Sequence, residues 1–239
     1  GDTYANRMPD PVLQQVEQFN NPSTTANDAF KPVTRYFDRI TRPEQIIQSF
    51  PIAVQTMLDP ADCGPACISL SQDIQGQTFD YPAEFFQEKV HTIRRPRPDE
   101  FQIKEAADKI KSSKNPIIIS GGGVFYSDAM EELSQFAIKH NIPVTQTVMG
   151  YSTMKRDHSH FAGQIGGLGG KNTNTLAKET DLAIAVGTKL ADFTTGSWAN
   201  FENENFKLVS INVSRYDANK HLAQAVVGDA KVSLTELSQ

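Results

Sequence analysis

Asn115-Pro116-Ile117-Ile118-Ile119-Ser120-Gly121-Gly122-Gly123 places three consecutive isoleucines between a proline and a triple glycine, and the fold turns on how that run is read. Three β-branched residues in a row leave no polar side for water, so a strand over 116–120 is predicted with both faces covered. The glycines break it. From Ser127 and Asp128, both suited to a helix N-cap, Met130, Leu133 and Ala137 fall on one helical face that runs to about His140. The alternation then repeats, with strands predicted over 142–147, 181–186, 208–213 and 225–227 and helices over 172–179 and 232–237. A long glycine-bearing loop is predicted over 149–170. Leu182-Ala183-Ile184-Ala185-Val186 is again apolar on both sides. Strands that must be covered above and below, alternating with helices, predict an α/β domain with a Rossmann-like, doubly wound parallel sheet of five strands.

Upstream the texture changes. His91-Thr92-Ile93-Arg94-Arg95-Pro96-Arg97-Pro98 is basic and proline-punctuated, which reads as an extended linker over 91–98 or, alternatively, as an anion patch. Before it, a helix starting at Pro43 or Glu44 carries Ile46, Ile47, Phe50, Ala53, Val54, Met57 and Leu58, a broad apolar stripe in need of a sheet. Only 66–70 reads as a strand there, and one strand with one helix cannot close a core. Residues 1–90 are therefore expected to be the end of a domain whose other strands precede Gly1, with 99–239 forming the wound domain. The chain lacks an initiator Met and is expected to be a fragment.

The 239 residues are 38% hydrophobic and carry a formal net charge of -5, enough apolar content for a core and no basic field for a nucleic acid. No apolar run reaches membrane-spanning length, and Gly1-Asp2-Thr3-Tyr4 lacks the features of a secretory signal, so a cytoplasmic protein without a membrane partner is expected. Two cysteines, Cys63 and Cys67, are too few to staple the chain. Both are expected to be inert and partly buried, with Cys67 opening a strand.

Two glycine clusters are the candidate ligand loops. Gly122 and Gly123 follow a strand and precede a helix, where backbone N–H groups can receive a phosphate. The alternative is a tight turn, since Tyr126 occupies the third glycine position of the dinucleotide fingerprint. In Gly163-Gln164-Ile165-Gly166-Gly167-Leu168-Gly169-Gly170, Gly163 and Gly167 would let the main chain approach a nucleotide or a neighbouring subunit, or simply form a turn. His158 and His160 lack a third ligand, so no metal site is predicted. Phe193, Trp198 and Phe201 either line a pocket or pack ordinarily. No nucleophile elbow and no cysteine–histidine pair exists, and no catalytic residue is predicted.

The order of these features resembles a known family. The run 115–124, then Asn141-Ile142-Pro143-Val144-Thr145-Gln146-Thr147-Val148-Met149-Gly150, Asp157-His158-Ser159-His160-Phe161-Ala162-Gly163, Asp181-Leu182-Ala183-Ile184-Ala185-Val186-Gly187-Thr188, Asn212-Val213-Ser214 and Val227-Gly228-Asp229-Ala230 resemble the central domain of thiamine-diphosphate enzymes of the acetolactate-synthase type. Ser71-Gln72-Asp73-Ile74-Gln75 resembles the exit of that family's pyrimidine-binding domain. Gly1-Asp2-Thr3, Asp10-Pro11-Val12-Leu13-Gln14-Gln15, Arg35-Tyr36-Phe37-Asp38-Arg39-Ile40 and Asp80-Tyr81-Pro82 are most similar to the branch that hydrolyses a cyclic dione in myo-inositol catabolism.

That resemblance implies a parent enzyme that opens a small cyclic dione at a carbon–carbon bond, with thiamine diphosphate and Mg2+ as cofactors. It implies a glutamate upstream of Gly1 and a magnesium motif in a third domain. Gly228-Asp229 is followed by Ala230 instead of the motif's glycine, so the cofactors are expected to bind mainly outside this chain, and the chain alone is expected to be inactive. FAD is not expected. Arg35 and Asp73 are placed near the substrate, or are surface charges, and a homo-oligomer is expected. The alternatives are an acetolactate-synthase-like carboligase or 2-oxo acid decarboxylase, and a nucleotide-binding or purely structural scaffold.

Overall fold

The computed structural model describes residues 1–8, 18 and 20–239. The run 10–15, quoted above for its resemblance, lies outside the described residues. The chain divides into two compact units, Gly1–Ile93 and Arg94–Gln239, at a boundary inside the stretch predicted as linker.

Among its described residues, the first unit is built on one β-α-β crossover. Strand β1 (Tyr36–Ile40) leads through a short 3-10 turn, Pro43–Gln45, into α1 (Ile46–Leu58), which returns the chain to β2 (Ala66–Leu70), parallel to β1. Strand β1 escaped the hydrophobic pattern because Asp38 and Arg39 interrupt it. Tertiary contacts stabilise it instead: Arg39 Nε donates to the buried Asp2 at 2.7 Å and Nη2 to Asp28 at 2.7 Å. Asp2 also bridges to Ser71 beside β2. Helix α1 buries Ser49 and Ala53, while Phe50 and Met57 of its stripe, and Ile52 outside it, remain exposed. Cys67 lies in β2, as expected, but Cys63 is exposed rather than partly buried, because it sits in the turn before the strand.

The second unit starts with α2 (Glu100–Ser112), capped by Asp99, followed by β3 (Pro116–Ser120), α3 (Gly122–Tyr126), α4 (Met130–His140) and β4 (Val144–Gln146). Next come β5 (Phe161–Gln164), α5 (Lys171–Glu179), β6 (Leu182–Val186), α6 (Asp192–Thr195) and β7 (Lys207–Asn212). The unit closes with α7 (Arg215–Ala218), β8 (Gln224–Val227) and α8 (Ala230–Leu237). The sheet has six strands in the order β5-β4-β3-β6-β7-β8, all parallel. Alternation along each strand sorts the core into two layers. Ile118, Leu182, Ile184, Val186, Val209, Ile211 and Val226 face α2, α4 and α8. Ile117, Ile119, Ala183, Ala185 and Leu208 face α5 and the segment carrying Trp198, Phe201 and Phe206. This is the doubly wound α/β sheet that the isoleucine run predicted.

Three local expectations need correction. The loop predicted over 149–170 contains the sixth strand, β5, a half-buried edge strand with Gly163 at φ +110 that pairs with β4 through a register shift. Such a strand carries no alternation to read. Ser127 and Asp128 do not cap the long helix: α3 begins inside the glycines, Ser127 closes it, Asp128 turns the chain at φ 52, and α4 starts from Ala129 without a side-chain cap. Finally, residues 94–98 belong to the second unit. Arg95 donates to Ser127 O and pairs with Asp229, Arg97 pairs with Glu236, and Asp229 N donates to Pro96 O at 2.8 Å.

Candidate functional site

In an open parallel sheet the ligand crevice lies beyond the carboxyl ends of the strands, where the order of winding reverses. Here β3 is followed outward by β4 and β5, and β6 by β7 and β8 in the other direction, so the reversal falls between β3 and β6. Gly121, Gly122, Gly123, Gly187 and Thr188 stand at that point.

The backbone closes the crevice on itself. A Cβ at Gly121 would lie 2.4 Å from Gly187 O, and one at Gly123 would lie 2.6 Å from Gly187 Cα. Gly121 N donates to Val186 O and Gly123 N to Gly187 O, both at 2.9 Å. These two amides are occupied in joining α3 to the end of β6 and have no hydrogen left for a phosphate. Gly122 faces the loop after β4, with Met149 O 3.2 Å from its would-be Cβ.

The second glycine loop is held in the same way. Gly163 adopts φ +110, and its would-be Cβ would sit 2.7 Å from Thr173 Oγ1. Gly166 is clamped by Asn174, which accepts from its N–H and donates to its carbonyl at 3.1 Å each. Gly167 N donates to Phe193 O at 2.9 Å, and Gly170 N to Gln164 O at 3.2 Å. The loop stitches the turn between β5 and α5 to α6.

Sequence reasoning missed the buried polar network beside these loops. Ser120 Oγ and Thr153 Oγ1 are 2.7 Å apart, Gln146 Nε2 donates to Thr153 Oγ1 and Met154 O, and Asn212 Nδ2 donates to Thr188 O. The signal available was the density of Ser, Thr, Gln and Asn at the carboxyl ends of apolar strands. Above the network stands a rim of exposed apolar side chains, Phe125, Tyr126, Met149, Tyr151, Leu168 and Phe193. Satisfied polar groups beneath an apolar rim can pack against a partner surface, but they offer no nucleophile, acid or base.

The other predicted residues lie elsewhere. Arg35 is exposed and pairs with Asp62 at 3.4 Å, and Asp73 accepts from the Ala5 and Asn6 amides, which ties it to the start of the chain. His158 accepts from His160 N through Nδ1 and contacts Ser134 Oγ through Nε2, in a turn before β5. Trp198 and Phe201 pack against the second core layer, while Phe193 is exposed. Among the described residues no group of three or more His, Cys, Asp or Glu side chains could hold a metal. Asp229 is committed to capping α8 through the Lys231 and Val232 amides and to pairing with Arg95. The residues present therefore do not fit a magnesium diphosphate.

Residues 103–237 match the family described as "Thiamine pyrophosphate enzyme, central domain". The chain belongs to this family. Over 237 residues it is 47% identical to the 3D-(3,5/4)-trihydroxycyclohexane-1,2-dione hydrolase of Clostridium perfringens (strain 13 / Type A), covering 99% of this chain and 37% of that protein. It is 45% identical to the 3D-(3,5/4)-trihydroxycyclohexane-1,2-dione hydrolase of Bacillus anthracis, again over 99% of this chain and 37% of that protein. The chain thus spans little more than a third of these relatives' length. The crystal structure of benzoylformate decarboxylase from Polynucleobacter necessarius superposes with a TM-score of 0.72 at 22% identity, over 99% of this chain and 45% of that one. That likeness shows the fold alone. Among the described residues of this thiamine pyrophosphate enzyme chain, no helix is long and apolar enough to cross a membrane.

Proposed function

We propose that this chain is the central domain, with the end of the pyrimidine-binding domain before it, of a thiamine-diphosphate-dependent hydrolase that cleaves a carbon–carbon bond of trihydroxycyclohexane-1,2-dione in myo-inositol catabolism. The observation that supports it is 47% identity to a hydrolase of that name across 99% of the chain, extending through residues 1–90, which the central-domain match does not reach. The wound unit serves as a scaffold: the Gly121, Gly123, Gly166 and Gly167 amides and the Ser120–Thr153–Gln146 network are bonded internally, so it holds neighbouring parts in register and leaves the chemistry to them. Thiamine diphosphate and Mg2+ then bind in the parent mainly outside this chain, FAD is not used, and the parent is a cytoplasmic homo-oligomer.

The test is product analysis of the full-length enzyme with thiamine diphosphate and Mg2+. Ring-opened acid formed from the dione, with no product from pyruvate or benzoylformate, is expected. Carboligation or decarboxylation of a 2-oxo acid instead would replace this reading. The 239-residue chain alone should show no dione hydrolysis under the same conditions.

A further inference from the structure

We propose that the groove at the amino-terminal end of the wound sheet, between the ends of α2 and α4, binds a small organic anion with a flat apolar body. The cavity measures about 400 Å³, and its floor includes Ile110, Phe136, Ile142 and Leu237. Lys111, Lys114 and His140 stand at its edge, and among the described residues no carboxylate side chain lines it.

Both helices end here, and a cation at a helix carboxyl end needs no ligand to explain it. Two observations go further. Lys114 lies beyond α2, in the loop to β3, and among the described residues neither Lys111 nor Lys114 has a carboxylate partner. Among the helix-end carbonyls, Ile110 O already accepts from Ser113 N, and Ala137 O and Ile138 O from Asn141 N, which lessens their pull on the cations beside them. The carboxylate beside the groove, Asp181, is turned onto Ser113 Oγ and the Lys114 and Asn115 amides.

The groove thus gathers like charges over an apolar floor. Burial first, and then the charges of Lys139 and Lys111, hold the His140 imidazole below its ordinary value. A bound anion would relieve that repulsion, and by reciprocity proton uptake at His140 would tighten the anion. The exposed His140 ring lies 4.5 Å from that of the buried Phe136, so the imidazole is the flat surface against which such a body can lie.

Calorimetric titration of benzoate into the full-length protein tests this. One saturable event is expected, with affinity rising about threefold between about pH 7.5 and about pH 5.5. The double substitution Lys111→Ser and Lys114→Ser should weaken it about tenfold, and His140→Gln should abolish the pH dependence. Absence of a saturable event, or affinities unchanged by the lysine substitutions, would overturn the proposal, as would a pH dependence that survives in His140→Gln.

Discussion

At the residue scale, two groups give sharp readouts. Asp28 is held well below the ordinary carboxylate value: burial raises it, but hydrogen bonds from Lys31, the Thr25 amide and Arg39 outweigh that effect. Asp2 is lowered by the same balance through Ser69, Arg39, Thr25 and Thr3. A carboxyl depressed in the folded state contributes stability that is complete above the unfolded value of about 4 and is lost as pH falls below it. The first unit should therefore lose structure on acidification below about pH 4, followed by circular dichroism. Arg39→Ala should cost about 2–3 kcal/mol in denaturant titrations, because it strands the fully buried Asp2 carboxylate while Arg39 itself remains partly wet.

His221 offers the second readout. Its ring stands 4.6 Å from that of Trp198, the sole tryptophan, and burial followed by the charge of Lys220 lowers its protonation range. Protonated imidazole quenches indole, so Trp198 emission should fall on acidification with a midpoint below the ordinary histidine value of about 6.5. His221→Gln should flatten that titration. The lowered value also means that stability is present above the unfolded histidine value and is lost as pH falls toward the folded one.

At the scale of elements, the junction of β3, α3 and β6 is decided by backbone proximity. Gly187 has φ +60, and its would-be Cβ falls 2.6 Å from Gly123 Cα, where neither atom belongs to a side chain that can swing away. Gly187→Ala should cost about 3 kcal/mol or more. Gly170 is the control: its φ is -70, and Thr173 Oγ1 lies 3.9 Å from the would-be Cβ, so Gly170→Ala should cost no more than about 1 kcal/mol, the usual loss for alanine at a helix N-cap. Equal losses from the two substitutions, measured by denaturant unfolding, would refute the close-packed junction. The triple glycine was legible as a break after a strand. Its role was not, because the residue that demands small neighbours, Gly187, lies far along the chain and meets Gly123 only once β3 and β6 pair.

For the whole molecule, the distribution of core predicts the order of unfolding. Among the described residues, the buried apolar side chains of the first unit are Ile40, Ala53 and Ile74, and the second unit holds the rest. The first unit should melt first. Brief trypsin treatment should cut after Lys89 or Arg94, in an exposed stretch without regular structure, and leave a resistant fragment starting near Arg95, identifiable by mass spectrometry. Survival of the first unit with loss of the second would contradict this distribution of core.

What the residues determined unaided was whatever depends on local apolarity. Ile117 to Ile119 and Leu182 to Val186 cannot face water on either side, so a twice-covered parallel sheet follows before any partner strand is known. The long run of motif similarity was legible for the same reason, since it is written in contiguous residues. Tertiary structure alone decided the rest. It made a strand of Tyr36–Ile40 by neutralising Arg39 with Asp2 and Asp28, and made an edge strand of Phe161–Gln164 by offering it β4. It also bonded the Gly123 amide to Gly187 O and the Gly167 amide to Phe193 O, two donors that the sequence alone leaves open to a phosphate. A hydrogen-bond donor's availability depends on which acceptor the fold brings to it, and that acceptor is rarely a neighbour in the chain.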